Sequence, residues 1–363
     1  MPSVQTMSSE PPANPCLIWE TERHVAALIS LRGERHRRQR APNQDASLGC
    51  GGHVRGLPYI ALALADGHGG KDYPNSDRGA QLAVTAFGEM AAEFAHYVAE
   101  LIESNQGDWR REASRHFRDK CGQRLLQIWQ AKVDTHAQSA QDPAAADEVA
   151  RRRYGTTVVG LVLTHDLILA GGIGDSRTYR LQQTNTALQV QPLTETLEGL
   201  GLATPSLVSP AAHRYWQTAA ASDEETVALV LATDGFADSF ADRGEAVILD
   251  LVEKTRRNGL RWLRERLPSA ADVWNREGVA DDLTLILCIR SDLIEDIGTS
   301  PSVADSAQAV YRDAVDPSVP PTAESHQVAA EVIDIQASDG DGTVSLASNP
   351  HTANPSAHAP QRV

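Results

Sequence analysis

Apolar positions along the chain gather in short runs rather than long stripes. Six stand out: 24–33 (HVAALISLRG), 59–67 (YIALALADG), 156–164 (TTVVGLVLT), 166–175 (DLILAGGIGD), 226–235 (TVALVLATDG) and 282–290 (DLTLILCIR). Each is strand length and rich in Val, Ile or Leu, and Gly or Asp bounds most of them. His165-Asp166, between two such runs, predicts a tight hairpin turn. After the second run the spacing becomes helical. It predicts helices over 77–101 and 109–133, then a loop over 141–149, and a second helical stretch over 244–254 and 260–273. Strands, helices, strands, helices, strand is the order of an α+β fold with antiparallel sheet, not of alternating βαβ units.

The two ends read differently. Residues 1–18 are polar and Pro-rich without periodicity, which predicts a flexible arm. Residues 296–363 predict a disordered, acidic, Pro-rich tail. From Pro301 onward this tail holds seven of the 19 prolines, eight acids, two arginines and one aromatic residue, too little apolar surface to offset its ordering entropy. That leaves 19–295 as one folded unit, at the upper end of single-domain size.

Composition narrows the function classes. Hydrophobic residues at 41% and charged residues at 22% are globular values. A net charge of −15 argues against general nucleic-acid binding, because phosphate would be repelled. The four cysteines (Cys16, Cys50, Cys121, Cys288) form no C-x-x-C pair, so neither a disulfide framework nor a cysteine zinc site is expected. No apolar run is long enough to span a bilayer, and no signal peptide is visible at the N-terminus. A cytoplasmic protein with no membrane partner is the expectation.

The acids carry the chemistry. Asp66 ends ALALAD and enters Gly-His-Gly-Gly. Asp175 follows AGGIG. Asp234 ends LVLAT, Asp281 and Asp282 open the last strand, and Asp45 opens ASLG. Any one of these could be a turn residue bonding the next backbone N–H. Together, at the ends of buried strands, they would repel one another and cost several kcal/mol each to desolvate. A hard divalent cation resolves the conflict. Oxygen ligands without a Cys or His cluster favour Mg²⁺ or Mn²⁺ over Zn²⁺, and so many acids suit two ions better than one.

At these residues the chain resembles a known family. R-x-x-N-Q-D (Arg40 to Asp45), D-G-H-G-G (Asp66 to Gly70), G-T-T (Gly155 to Thr157), G-D-S-R (Gly174 to Arg177), T-D-G (Thr233 to Gly235) and D-D-L-T (Asp281 to Thr284) are similar, in order and rough spacing, to the PPM/PP2C metal-dependent phosphatases. The resemblance implies a central antiparallel β-sandwich flanked by helices on both sides. It also implies a dinuclear Mn²⁺ or Mg²⁺ site and hydrolysis of phosphoserine or phosphothreonine. By the same resemblance Asp66 bridges two ions, with the Gly67 carbonyl as a further ligand. Asp234 and Asp281 complete one ion. Asp45 is an outer acid that holds water, and Asp175 serves a weaker third ion. His68 is the candidate acid for the leaving alkoxide, against a purely structural role in its loop. Arg40, by spacing, is the candidate to grip substrate phosphate, with Arg37 or Arg38 as substitutes and a solvated basic loop as the alternative.

The match loosens in places. Gln44 stands where some relatives have glutamate, and Asp282 where many have asparagine. No Asp-His-Ser follows the G-D-S-R hairpin within 192–221, which leaves the substrate range open. The implied partner is a phosphoprotein, a Ser/Thr kinase or that kinase's target. A catalytically silent scaffold and a hydrolase of small phosphate esters are the alternatives.

Overall fold

A computed structural model of the chain describes residues 16–104, 107–139, 148–185, 187–194, 204–240 and 243–295, with backbone alone for 3–6 and 148–149. The tail expected over 296–363 lies outside the described residues.

Two six-stranded sheets form the centre. The first runs β1 (Ser3–Thr6), β4 (Asp45–Val54), β5 (Leu57–Asp66), β6 (Val158–Thr164), β7 (Leu167–Ile173) and β10 (Gln217–Ser222). The second runs β2 (Cys16–Glu20), β3 (His24–Leu31), β12 (Leu283–Arg290), β11 (Thr226–Ala232), β8 (Arg177–Gln183) and β9 (Leu188–Pro192). Every pairing is antiparallel.

The solid apolar runs follow from burial on both faces. In β5, Ile60, Leu62 and Leu64 point between the sheets and meet Leu161, Leu229 and Ile286. Ala61, Ala63 and Ala65 point the other way, under α2 (Ser76–Glu103). Alanine there lets the helix approach, so Phe87, Met90 and Phe94 reach the sheet. On the outer face of the second sheet, Ile29, Val230 and Leu285 pack against α6 (Asp234–Phe240) and α7 (Gly244–Glu277) through Phe236, Ile248, Leu251 and Val252. The result is the four-layer helix–sheet–sheet–helix order expected of the fold class.

Several expectations change in detail. The arm predicted over 1–18 contributes β1 and the first residues of β2, which pair with β4 and β3. The second predicted helix is α3 (Trp109–His116), a π-helical turn Phe117–Cys121 and α4 (Gly122–Ser139). The loop predicted over 141–149 ends in α5 (Glu148–Arg152), while 141–147 are outside the described residues. The break between 254 and 260 is a kink at Gly259 (φ 78°), a conformation open to glycine, and the helix resumes beyond it. The His165 turn joins β6 to β7 with φ 54° at His165. No helix among the described residues is long and apolar enough to cross a membrane.

Candidate active site

Strand ends from both sheets meet at one edge of the sandwich. Asp45 begins β4 and stands opposite Asp66 at the end of β5. Asp175 lies in the turn from β7 to β8, Asp234 follows β11 as the first residue of α6, and Asp281 and Asp282 precede β12. These side chains line one cavity of about 170 Å³ with Gly67, His68, Gly69, Gln44, Thr157 and Thr204. Gly67 cannot be replaced without displacement. A Cβ there would lie 2.7 Å from the carbonyl oxygens of both Gln44 and Ser76.

The acids differ in their surroundings. Asp45 is 7% exposed, and its Oδ2 accepts a hydrogen bond from Thr233 Oγ1 at 3.0 Å. Burial pushes its carboxyl well above the usual range, and the Asp282 charge adds to the effect. Burial does the same to Asp66, reinforced by Asp45 and Asp234. Asp234 is raised chiefly by burial, although its contact with the Asp66 carboxyl works against the shift. Asp175 accepts from Thr204 Oγ1 at 2.9 Å.

Asp281 and Asp282 have partners on α1 (Glu34–Gln39) and its flanks. Arg35 contacts Asp281 at 2.6 Å. Asp282 is buried and accepts from the backbone N–H groups of Gly33 and Gln44, both at 2.6 Å. His36 Nδ1 lies 2.8 Å from Asp282 Oδ2, and this carboxylate holds the imidazole above its ordinary value.

His68 presents its ring edge-on to Tyr73, 5.0 Å between centroids, while its backbone N–H bonds the Gly155 carbonyl at 3.0 Å. Burial lowers its pKa, with the Asp175 charge pulling the other way.

All the acids expected from the sequence thus share the cavity, as do Gly67 and His68. Arg40 does not. It ends α1 at φ 57°, is exposed and is absent from the cavity lining, as are Arg37 and Arg38. Spacing points to Arg40, but it is Arg35, itself exposed, that reaches the cavity and contacts Asp281. His36 also lines the cavity, and Thr204 enters it with no sequence signal.

The donor set suits a hard cation: oxygen ligands, among them Asp45, Asp66 and Asp234, in whose carboxyls burial favours the protonated form. Among the described residues, no group of three or more His, Cys, Asp or Glu is already arranged around one point where an ion could be held. Asp66 and Asp234 instead come close enough to share a proton. Chemically, a proton between paired carboxylates takes the place that a cation would fill.

The sequence matches the protein phosphatase 2C family over residues 32–269. The chain belongs to that family. Membership makes it a protein phosphatase at family level, and the sandwich agrees. The serine-threonine phosphatase 2C of Toxoplasma gondii is 16% identical, with 80% of this chain and 100% of that one covered at a TM-score of 0.50. The Mycobacterium tuberculosis serine/threonine phosphatase PstP/Ppp is 17% identical over 74% of this chain and 98% of its own, with a TM-score of 0.42. The catalytic domain of PstP in complex with two manganese ions is 18% identical over the same shares, also at 0.42. No curated protein matches the chain.

Proposed function

We propose that this chain hydrolyses phosphoserine and phosphothreonine in proteins, with Mn²⁺ or Mg²⁺ held between the strand ends. One observation carries the reading. Asp45, Asp66, Asp175, Asp234, Asp281 and Asp282 line one cavity, where burial disfavours the charged form of Asp45, Asp66 and Asp234, in a chain of the protein phosphatase 2C family. Such a cluster is unfavourable for the fold alone and favourable for a cation.

Asp66 and the Gly67 carbonyl would serve two ions, with Asp234 and Asp281 completing one of them. Asp45 would hold water at the outer side, and Asp175 a weaker third ion. Bound there, the ions would supply a lowered pKa for water and positive charge for the phosphoryl oxygens. The chain's own groups do the rest. Gln44 can orient water through its amide. Arg35 can offer its guanidinium to a phosphate once Asp281 is otherwise engaged. His68 stands at the cavity wall, where it can protonate the leaving alkoxide, although burial works against its protonated form and the Asp175 charge in its favour. The substrates would be cytoplasmic phosphoproteins, a Ser/Thr kinase or that kinase's targets.

The test is hydrolysis of p-nitrophenyl phosphate and of a phosphoserine peptide, first with EDTA and then with added Mn²⁺. Activity on both that appears only with the metal supports the reading. Activity on the small ester alone reassigns the site to small phosphate esters, and no activity on either leaves a binding scaffold.

A further inference from the structure

The arginine-rich turn beside the cavity is only partly used by the site. Residues 32–40 hold Arg32, Arg35, Arg37, Arg38 and Arg40 against one acid, Glu34, in a chain of net charge −15. If these arginines only balanced the buried carboxylates, they would lie against them. Only Arg35 does. Arg37, Arg38 and Arg40 are exposed. Arg37 and Arg38 share Glu34, at 3.9 and 3.2 Å, and Arg40 has no ion pair among the described residues. Two of these three exposed guanidinium groups share one carboxylate, and the third has none among the described residues.

The turn is held firmly. Asp282 accepts from Gly33 N at 2.6 Å, Arg35 N donates to the Ala280 carbonyl at 2.9 Å, and Arg32 NH2 donates to the His36 carbonyl at 3.0 Å. A partner would have to order side chains only, not the backbone that carries them. Helical rise places Arg38 about 5 Å along from Arg35 at the cavity wall. That is one to two residues of extended peptide, at roughly 3.3–3.6 Å each.

We propose that this turn is a docking rim for Asp and Glu side chains flanking the phosphorylated residue, so that acidic phosphopeptides are the preferred substrate class. The proposal rests on the phosphatase reading above. The guanidinium fork matches a carboxylate, which a phosphopeptide with acidic flanks supplies on either side of its phosphate.

The experiment uses the full chain with Mn²⁺ and three phosphoserine peptides of equal length, flanked by Glu, Gln or Lys. Exposed ion pairs contribute a factor of about 1.4 to 5 each. The Glu peptide should therefore exceed the Lys peptide in kcat/KM by about tenfold at low ionic strength, and the gap should shrink in about 0.5 M salt. R37E/R38E should invert the order of the peptides, a result that misfolding cannot produce. Its turnover of p-nitrophenyl phosphate should stay within about twofold. Equal kcat/KM for all three peptides, with hydrolysis intact, overturns the rim and leaves the phosphatase reading standing. A change in Mn²⁺ affinity in R37E/R38E without a change in peptide order overturns it as well, since the arginines would then be countercharges. Failure to hydrolyse any phosphopeptide removes both readings together.

Discussion

Asp45 stands directly across the β4–β5 ladder from Asp66. Like charges opposite one another weaken a strand pair, and here Asp45 is buried and Asp66 half-buried. Thr284 and Thr233 relieve Asp45 with hydrogen bonds, whereas the charges of Asp45, Asp234 and Asp175 all raise the carboxyl of Asp66. An arrangement so unfavourable alone makes sense in a fold that receives cations at this edge.

Asp66→Asn separates folding from function at that pair. The amide removes a charge from the cluster, so in EDTA at low ionic strength and neutral pH the variant should melt about 2–5 °C above the wild type. Mn²⁺ should raise the melting temperature of the wild type but hardly that of the variant. Phosphatase activity should fall by at least about 10²-fold, the scale of losing one electrostatic stabiliser. Calorimetry with and without Mn²⁺ reads both effects. A variant with full activity and an unchanged response to Mn²⁺ would contradict the proposed role.

Asp282 should matter through the backbone it ties. Its carboxylate accepts from Gly33 and Gln44, one on each side of α1, with His36 beside it. Asp282→Ala leaves two N–H groups without partners and should destabilise the chain by roughly 2–4 kcal/mol, or roughly 5–15 °C. Asp282→Asn keeps one acceptor but turns an NH₂ toward a donor, so its melting temperature should fall between the two. Equal melting of all three chains would show that the turn is held without this residue.

Much of this was legible because two signals are strong. Strands buried on both faces, such as β5 and β12, read as solid apolar runs, and an Asp at the end of such a run is conspicuous. Strands that lack those features were not visible. β4 carries Gly49, Gly51 and Gly52, which break a propensity reading. β8 carries two arginines among its buried positions and ends on two glutamines, and β10 is a run of mostly small residues, none of them buried. β2 is five residues just after a proline-rich stretch. The acids that line the cavity are conspicuous by type and position, whereas the arginine that lines it is not. Five arginines in nine residues are chemically alike, and only the contact with Asp281 distinguishes Arg35 from Arg40. Thr204 reaches Asp175 through a long connection, a tertiary relation with no local pattern.

His116 provides a pH test away from the cavity. It ends α3 with its ring stacked on Tyr97, 4.0 Å between centroids. Burial lowers its pKa, Glu112 and Asp119 oppose that, and Lys120 adds to it. A base with a depressed folded pKa takes its proton later than in the unfolded chain, so stability is lost as pH falls through the ordinary imidazole value of about 6.5. His116→Phe keeps the stacking without the titration. Between pH 7.5 and 5.5 its melting temperature should drop less than that of the wild type. Parallel curves would mean that His116 titrates as it does in the unfolded chain.

His68 decides how the leaving group departs. Its loop is fixed by the Gly155 carbonyl and its ring by Tyr73, so removing the imidazole leaves the backbone path in place. If the ring protonates the leaving oxygen, His68→Ala should slow phosphoserine peptides by about 10²-fold or more, because a serine alkoxide leaves poorly without a proton. p-Nitrophenyl phosphate, whose phenolate departs unaided, should lose less than about threefold. Mn²⁺ titration of the variant should be unchanged, which separates proton transfer from damage to the acids nearby. Equal losses on both substrates with unaltered Mn²⁺ binding would instead give His68 a role in holding substrate, because a positional defect does not distinguish good leaving groups from poor ones.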